Sequence, residues 1–347
     1  MRRLFPRKFL LVSLFCLVSS FLFGLFYLLL IPPSKSSQNK VILIKRGTSL
    51  RATASVLEQE GIIRSKEMFI GLATLLGKKA EIKAGEYELH TRMLPLEVLN
   101  TLVQGQVRRH LVTIPEGYTL RQIAQLLGAL GIVEQKAFLE KATSPAFIAS
   151  MGLAEYFPEP TKETKGIGWT LEGFLFPETY HLYREMDPEE VIRMMTQQFR
   201  RYFLREWLEK ARQLGLSPRE VVILASIIEK ESPLSEEKPL ISAVFHNRLR
   251  RKIPLQSDPT VIYGLEDFDG DLTKEHLKRP SPYNTYLNPG LPPTPICNPG
   301  RDSLWAALHP ASSPYLYFVS RNDGSHHFSE HYEDHQRAVW RYQKKKL

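Results

Sequence analysis

The longest uncharged stretch of the chain lies close to its N-terminus. Residues 9–31 contain no charged side chain and exceed the roughly 20 apolar residues that cross a bilayer. Basic residues are concentrated just before this stretch, in residues 1–8, and such cations favour the cytoplasmic side of a membrane. A cleaved signal peptide fits less well, because its apolar core is usually about 7–15 residues long. The pattern predicts a cytoplasmic start and a retained transmembrane helix over 1–31, followed by a polar linker over 32–40.

Further along, one pattern of apolar and polar positions occurs twice. Residues 44–62 and 114–132 match without gaps, and each continues from a short apolar strand into apolar residues at helical spacing. A serine or threonine stands where a helix N-cap is expected, at Ser49 and at Thr119. A glycine follows each helix, as is typical of a left-handed helix end. The sequence therefore predicts two copies of one strand–turn–helix unit.

The residues between the two copies complete a small subdomain. Residues 82–89 alternate like a strand, and residues 94–102 have the spacing of a helix that ends before Gly105. We predict an α+β subdomain over 41–108 and a second repeat with a connecting region over 109–165. The repeated unit resembles the start of a LysM module, which binds N-acetylglucosamine polymers. A structural α+β spacer is an equally good interpretation.

The most apolar pattern outside the N-terminus predicts a buried helix over residues 218–232. Ser217 can cap it, and residues 221–228 are almost wholly apolar. The helix closes with Glu229 and Glu231, which are two positions apart and therefore point about 200° apart around the axis. The negative end of the helix dipole disfavours an ionised carboxylate, so a half-buried carboxyl there is a candidate general acid. An ordinary solvated helix end is the competing interpretation.

Three further stretches shape the rest of a predicted domain over 166–347. Residues 170–180 combine aromatic residues with carboxylates, a mixture that suits a carbohydrate cleft and equally an ordinary core strand. Residues 187–207 predict one amphipathic helix, and we assign its apolar stripe to packing. A helix over 241–249 precedes a region rich in Pro, Gly, Tyr and Asn, which predicts ordered loops of the kind that often carry function.

Composition narrows the functional classes. The chain has 347 residues, a formal net charge of +9 and two cysteines, Cys16 and Cys297. Two cysteines, one of them in the predicted transmembrane helix, are too few for a disulfide framework or a thiolate metal site. We expect no cofactor. The basic balance suits an exported protein near anionic lipid and wall polymers. Scattered basic residues do not indicate nucleic-acid binding, and we find no triad, metal cluster or phosphate loop typical of proteases or nucleases.

The motifs of residues 172–319 resemble those of the MltG-type endolytic murein transglycosylases, the YceG-like family. The similarity extends from about residue 41 to the C-terminus, and the predicted anchor and LysM-like region agree with that family's layout. The departures are small: Ser257 stands where the family has threonine, and Cys297 and the pair at 326–327 are local variations. The motifs are residues 172–177, 225–231, 245–249, 255–264, 283–286, 290–293, 309–310 and 315–319.

This resemblance implies a lyase that cleaves the β-1,4 bond between N-acetylmuramic acid and N-acetylglucosamine within a glycan strand. The product then carries a 1,6-anhydro-muramyl end. Ordinary glycosidases need two carboxylates, but here the substrate's C6 hydroxyl attacks C1, so one carboxyl can serve as acid and then base. Glu231 followed by Ser232 matches the catalytic Glu-Ser pair of other lytic transglycosylases. We therefore expect Glu231 to be catalytic, with Glu229 as the second candidate, oriented by a Lys or Arg.

Further residues are expected at the sugar site. Tyr283, Asn284 and Thr285 are assigned to line it and to position C6. The other expected substrate-binding residues are Gln256, Asp258, Glu172 and Ser232. Bracing of the loop is an equal interpretation for Gln256 and Asp258. We treat His246, His309 and His327 as non-catalytic. Asn247 and Arg248 are expected to support the site without contacting substrate.

Two other functions stay open at this point. One is a hydrolytic muramidase, in which Glu231 is the acid and Asp258 or Glu172 places the water. The other is a catalytically silent wall-binding scaffold. The fold expected is α+β, with a transmembrane helix, a small LysM-like subdomain and a larger helical and loop-rich catalytic domain. The resemblance implies a single-pass cytoplasmic-membrane protein with its catalytic domain outside, acting on peptidoglycan beside the polymerases to end growing strands.

Overall fold

A computed structural model describes residues 12–16, 19, 32–34, 36–153, 156, 168–203, 205–266 and 268–344. Most of the predicted transmembrane helix lies outside these residues, although residues 12–16 are helical. Within the described ranges, none of the helices combines the length and the apolar character needed to span a bilayer.

The described chain is mostly helical with small two-stranded sheets, which confirms the predicted mixed α+β class. The strands pair as β1 with β2, β3 with β4 and β5 with β6. The strands are β1 Asn39–Ile44, β2 Gly85–His90, β3 His110–Thr113, β4 Thr179–Leu182, β5 Tyr317–Ser320 and β6 His326–Ser329. The helices are α1 Leu50–Gln59, α2 Lys66–Leu75, α3 Pro95–Gln104, α4 Leu120–Ala129, α5 Gln135–Ala142, α6 Pro145–Ser150, α7 Pro188–Tyr202, α8 Arg205–Gln213, α9 Pro218–Glu231, α10 Lys238–Arg250, α11 Asp258–Tyr263, α12 Arg301–Leu308 and α13 Tyr332–Val339. A 3-10 turn at His276–Lys278 and a π-helix at Trp340–Lys344 complete the described elements.

The chain divides into two compact units. The first contains Met1–His110 and His181–Met186, and the second contains Leu111–Tyr180 and Asp187–Leu347. In the first unit, β1 and β2 are antiparallel, with Ile44 opposite Gly85. The strands and helices α1 to α3 bury one continuous apolar core around Tyr87, which is fully buried.

The two predicted repeats form as expected. The Ser49 hydroxyl accepts a hydrogen bond from the backbone N–H of Ala52 at the start of α1, and Thr119 caps α4 in the same way. The glycines that follow these helices, Gly61 and Gly131, have φ angles of 68° and 67°. That left-handed conformation favours glycine, because a Cβ atom crowds the backbone there.

Helix α9 is the centre of the second unit. Every side chain from Val221 to Ile228 is buried, and the helix packs against α10 and most extensively against α12. Helix α9 thus has the buried position that its continuous apolar sequence predicted. Its C-terminal end is consequently held by the core and not by surface contacts.

One predicted helix is wrong in its extent. Residues 187–207 do not form a single helix, because α7 ends at Tyr202 and α8 starts at Arg205. Phe203 leaves the helical conformation, with φ of −86° and ψ of 78°. Its ring stacks on Phe199 and meets Trp207 edge to face. Burial of this aromatic ring stabilises the break, whereas the apolar stripe of α7 packs inward as predicted.

Candidate active site

The end of α9 fixes the backbone that carries Glu231. At its start, Ser217 and Glu220 form a reciprocal capping box, which stabilises the first turn. At its end, Ser232 adopts an extended conformation and is 1% exposed. The Ser232 hydroxyl accepts a hydrogen bond from the N–H of Leu234 at 3.1 Å. The serine that follows the glutamate therefore turns the chain out of the helix, and its expected contact with substrate stays a prediction.

The Glu231 carboxyl is half-buried and lies beside residues from another part of the unit. The Ser257 hydroxyl donates a hydrogen bond to Glu231 Oε1. Burial raises the pKa of Glu231 to about 7, the Ser257 hydrogen bond lowers it, the charge of Asp258 raises it and that of Arg248 lowers it. A carboxyl with a pKa near neutrality can both release and recover a proton.

Arg248 holds the loop that presents Ser257. From the buried helix α10, its guanidinium donates to the carbonyl of Leu255 at 3.0 Å and to Gln256 Oε1 at 3.1 Å. Its Nε donates to the carbonyl of Leu316 at 2.6 Å. Five N–H donors in a planar fork allow one arginine to fix several acceptors at once. Arg248 was expected to be supporting, and these contacts confirm that placement.

Gln256 and Asp258 are the exposed members of the same loop. Gln256 has a φ of 52°, a left-handed conformation that costs energy for a residue with a Cβ atom and recurs at functional sites. Asp258 Oδ1 accepts a hydrogen bond from the Tyr286 hydroxyl at 2.6 Å. Both side chains thus reach solvent close to Glu231, and a ligand can contact them there.

The loop around residue 284 supports the Ser257 loop through hydrogen bonds. Asn284 is fully buried, and its amide donates to two backbone carbonyls of the same loop region. The Thr285 hydroxyl accepts a hydrogen bond from the N–H of Ser257 at 3.0 Å and shares another with Thr260 at 2.8 Å. These contacts hold Ser257 in place. The expected direct contacts of Asn284 and Thr285 with sugar stay predictions.

Glu229 faces the opposite side of the helix end and meets a cation. Lys238 Nζ lies 3.2 Å from Glu229 Oε1, and the side chains are 3% and 8% exposed, respectively. The N–H of Gly300 donates to the other carboxylate oxygen at 2.9 Å. Both carboxylate oxygens of Glu229 are thus already bonded by the protein and turned away from the Ser257 loop. The geometry therefore favours Glu231 over Glu229 as the acid.

Glu172 is enclosed by hydrogen-bond donors from the protein and is 2% exposed. The N–H of Leu120 donates to both of its oxygens at 2.9 and 3.0 Å. Tyr263 donates to one oxygen at 3.1 Å and Asn298 to the other at 3.0 Å. Burial raises the pKa of Glu172 to about 8, and these donors oppose the rise. Folding alone accounts for this residue, and its expected substrate contact stays a prediction.

Tyr283 belongs with Glu172 and not with Glu231. Its ring meets that of Tyr263 edge to face at 4.9 Å, and its hydroxyl shares a hydrogen bond with Thr294 at 2.8 Å. Burial raises the pKa of the Tyr283 hydroxyl. The structure therefore places the predicted residues in two groups. One group surrounds Glu231 through Ser257, and the other surrounds Glu172 through Tyr263.

Sequence reasoning gave no role to two residues that matter here, Tyr286 and Asn298. Tyr286 was noted only as the last residue of the 283–286 motif, yet it holds Asp258. Asn298 connects Glu172 to the backbone N–H groups of Gly173 and Leu175. The Asn-Pro-Gly sequence at 298–300 was the available signal, because an amide beside two turn residues often bonds to backbone.

Comparison with known proteins gives one consistent result. The model of the YceG-like family matches residues 42–341. The "Endolytic murein transglycosylase" of Bacillus subtilis (strain 168) is 33% identical over 321 residues, which cover 90% of this chain and 88% of that protein. The protein of the same name from Streptococcus pneumoniae serotype 2 (strain D39) is 31% identical, and the match covers 94% of this chain and 63% of the relative.

A solved structure agrees with these relatives. The crystal structure of a yceG-like protein from Listeria monocytogenes is 32% identical and has a TM-score of 0.59. The match covers 87% of this chain and 100% of that one. The family resemblance that the sequence motifs indicated is therefore confirmed.

Proposed function

Because the chain belongs to the YceG-like family, we propose that it is an endolytic peptidoglycan lytic transglycosylase. The proposal rests mainly on the environment of Glu231. It is a half-buried carboxyl at the end of a buried helix, its pKa is raised to about 7, and Ser257 fixes one of its oxygens. A lytic transglycosylase requires this combination, since one group must act as acid and then as base.

In the proposed reaction, protonated Glu231 donates its proton to the glycosidic oxygen between N-acetylmuramic acid and N-acetylglucosamine. The bond from C1 to that oxygen breaks, and the C6 hydroxyl oxygen of the muramic acid forms a bond to C1. The Glu231 carboxylate then accepts the proton that the C6 hydroxyl releases. The enzyme returns to its protonated form and no water is consumed, so the reaction is an intramolecular transglycosylation and not a hydrolysis.

The surrounding residues have distinct proposed roles. Ser257 orients the carboxyl and partly stabilises its ionised form through a charge-assisted hydrogen bond. Gln256 and Asp258 reach solvent beside it and are the proposed sugar contacts. Tyr286 holds Asp258 through its hydroxyl. Each role is compatible with a neutral polyol ligand, because hydroxyl, amide and carboxylate groups exchange hydrogen bonds with sugar hydroxyls.

A hydrolytic muramidase is the second candidate function, and Asp258 is the observation that favours it. This exposed carboxylate lies close enough to Glu231 to influence its pKa. Two neighbouring carboxyl groups are the usual arrangement of glycoside hydrolases. In that reaction Asp258 would position or activate a water, and the product would carry a reducing end.

Product mass separates the two candidates. Purified peptidoglycan is digested with the full-length chain and with Glu231→Gln, and the muropeptides are weighed. Anhydro ends that form with wild type and not with the variant support the lyase and its single acid/base. Products heavier by one water identify the muramidase. Equal product from wild type and variant would remove Glu231 from the reaction. Glu236→Gln is the matched control, because Glu236 is an exposed glutamate just beyond the end of the same helix.

We further propose that the chain acts at the cytoplasmic membrane, with residues 1–31 as the anchor and the catalytic domain outside. The uncharged run of residues 9–31 and the basic residues before it support this orientation. The proposed substrate is the glycan strand of peptidoglycan. We also propose that the chain acts beside the wall polymerases and ends the strands that they are extending. Cysteine substitutions in residues 1–8 and after residue 40, labelled with a membrane-impermeant thiol reagent, test the orientation.

A further inference from the structure

The side-chain amide of Gln256 has a fixed direction. The guanidinium of Arg248 donates to Gln256 Oε1 at 3.1 Å. A guanidinium has five donors and no acceptor, so the amide oxygen is the atom that faces Arg248. The Nε2 group lies on the other side of the amide carbon. It forms no hydrogen bond with the residues that the structure describes. Because Gln256 is exposed, this N–H donor is available to a ligand.

The backbone of Gln256 is held as well as its side-chain oxygen. Its φ of 52° lies in the left-handed region, which residues with a Cβ atom rarely adopt. Such a conformation persists where neighbouring contacts enforce it, and the N–H of Gln256 donates to the carbonyl of Thr285 at 3.1 Å. A free glutamine side chain has many rotamers. Held at its backbone and at its oxygen, this one presents its donor in one orientation, and such preorganisation favours binding.

Gln256 lies beside the proposed acid. The hydroxyl of the next residue, Ser257, donates to Glu231 Oε1, and adjacent Cα atoms are about 3.8 Å apart. The guanidinium of Arg248, which binds Gln256 Oε1, also acts through its charge on the Glu231 carboxyl. The Gln256 amide and the Glu231 carboxyl are therefore neighbours of the same two residues. A sugar whose glycosidic oxygen receives the Glu231 proton has its nearest substituents within reach of Gln256.

Two other side-chain donors near Glu231 are already used within the protein. The Ser257 hydroxyl donates to Glu231. The Tyr286 hydroxyl donates to Asp258 at 2.6 Å. The exposed polar groups of this loop are then unlike each other: the Asp258 carboxylate accepts hydrogen bonds, and the Gln256 amide N–H donates them. Asp258 suits a sugar hydroxyl, whereas Gln256 suits a carbonyl oxygen, which only accepts. An N-acetylated sugar carries such an oxygen in its acetamido group.

We propose that Gln256 selects N-acetylated sugars by donating a hydrogen bond from Nε2 to the carbonyl oxygen of the acetamido group. The choice of sugar rests on the proposed function. The acetamido group is attached to C2, which is bonded to the C1 atom of the cleaved bond. It therefore lies next to the glycosidic oxygen that Glu231 protonates. A sugar with a hydroxyl at C2 lacks this carbonyl and is bound less tightly.

The test uses two neutral hexasaccharides that differ only at C2, one of β-1,4-linked N-acetylglucosamine and one of β-1,4-linked glucose. Their Kd values are measured by calorimetry with the full-length chain carrying Glu231→Gln, so that no turnover occurs. Gln256→Glu keeps an oxygen for Arg248 and replaces the outward donor with an acceptor, and Gln256→Met removes both groups. Each variant raises the Kd of the N-acetylated hexasaccharide about tenfold and changes that of the glucose hexasaccharide less than about twofold.

Gln213→Glu is the matched control. Gln213 is an exposed glutamine at the end of α8, shortly before the start of α9, whereas Glu231 lies at the other end of α9. This variant binds both hexasaccharides as its parent does. Melting temperatures measured by circular dichroism show that the variants are folded, and Gln256→Glu retains the contact with Arg248.

The outcomes distinguish this inference from the proposed function. A parent that does not prefer the N-acetylated hexasaccharide overturns the role of Gln256, even if wild type forms anhydro ends. Parent-like affinity for that hexasaccharide in either Gln256 variant overturns it as well. Equal losses for the two hexasaccharides also overturn it, because the contact is then not with the acetamido group. A loss confined to the N-acetylated hexasaccharide supports it, whether or not wild type cleaves.

Discussion

Removal of the Ser257 hydroxyl tests how the protein sets the proton affinity of Glu231. This hydroxyl donates to Glu231 Oε1 and stabilises the ionised carboxylate. A hydrogen bond to a charged group contributes about 1.5–3 kcal/mol, and a shift of one pH unit corresponds to about 1.4 kcal/mol. Ser257→Ala should therefore raise the pKa of Glu231 from about 7 by about one to two pKa units.

The sign of the effect on activity follows from the proposed chemistry. The acid must be protonated to cleave the bond, so activity is present below the pKa of Glu231 and is lost as the pH rises through it. The falling limb of kcat/KM, measured as the initial rate of anhydro-muropeptide formation, has its midpoint near pH 7 in wild type. In Ser257→Ala the midpoint moves to higher pH, although kcat itself falls because the carboxyl is less well oriented.

Two further variants sharpen this test. Asp258→Asn removes a negative charge that raises the pKa of Glu231, so its midpoint moves to lower pH. Ser257→Thr keeps the hydroxyl and should leave the midpoint unchanged. A midpoint that stays in place in both Ser257→Ala and Asp258→Asn, or that moves in the same direction in both, would refute the assignment of this limb to Glu231.

Three other substitutions have expected effects on stability, each measurable by urea unfolding. Glu229→Gln lowers the free energy of unfolding by about 3–5 kcal/mol, because it leaves the buried Lys238 cation unpaired; a loss below about 1 kcal/mol would contradict the importance of this ion pair. Glu172→Ala lowers the free energy of unfolding by about 2–4 kcal/mol, since the N–H of Leu120 and the other donors lose their acceptor. Glu172→Gln should lower it clearly less, because the amide oxygen still accepts. Equal losses in these two variants would show that the hydrogen bonds are not the cause. Gly173→Ala costs at least about 2 kcal/mol, because Gly173 has a φ of 88° and an added Cβ atom would lie 2.5 Å from a proline ring; wild-type stability in this variant would mean that the close approach relaxes freely.

The elements predicted well are those whose signals are local. Helix α9 forms over Pro218–Glu231 with its serine cap and its buried centre, because the cap, the proline and the apolar run lie within a few residues of one another. The repeated strand–turn–helix units were predictable for the same reason. The divergence of Glu229 and Glu231 also follows from helix geometry alone. The identity of the cation beside Glu229 does not, since Lys238 belongs to the next helix.

The features missed depend on contacts between distant parts of the chain. Arg248 binds the carbonyl of Leu316, and Tyr286 binds Asp258; no periodicity in the sequence pairs these residues. The division of residues 187–207 into two helices was also missed. The break is stabilised by packing of Phe203 in an aromatic core, and helical spacing alone continues through it. Long-range packing overrides local pattern in each case.

The burial of α9 limits how this protein can be regulated. Glu231, the proposed acid, is carried by a helix that is enclosed along its whole apolar length, so it cannot move away without opening the core. Its companion glutamate in the same turn is also tied to the next helix by a buried ion pair. Control by movement of the proposed acid is therefore costly. Any brake or trigger must act on what reaches the acid, through the exposed side formed by Gln256, Asp258 and the adjoining loop.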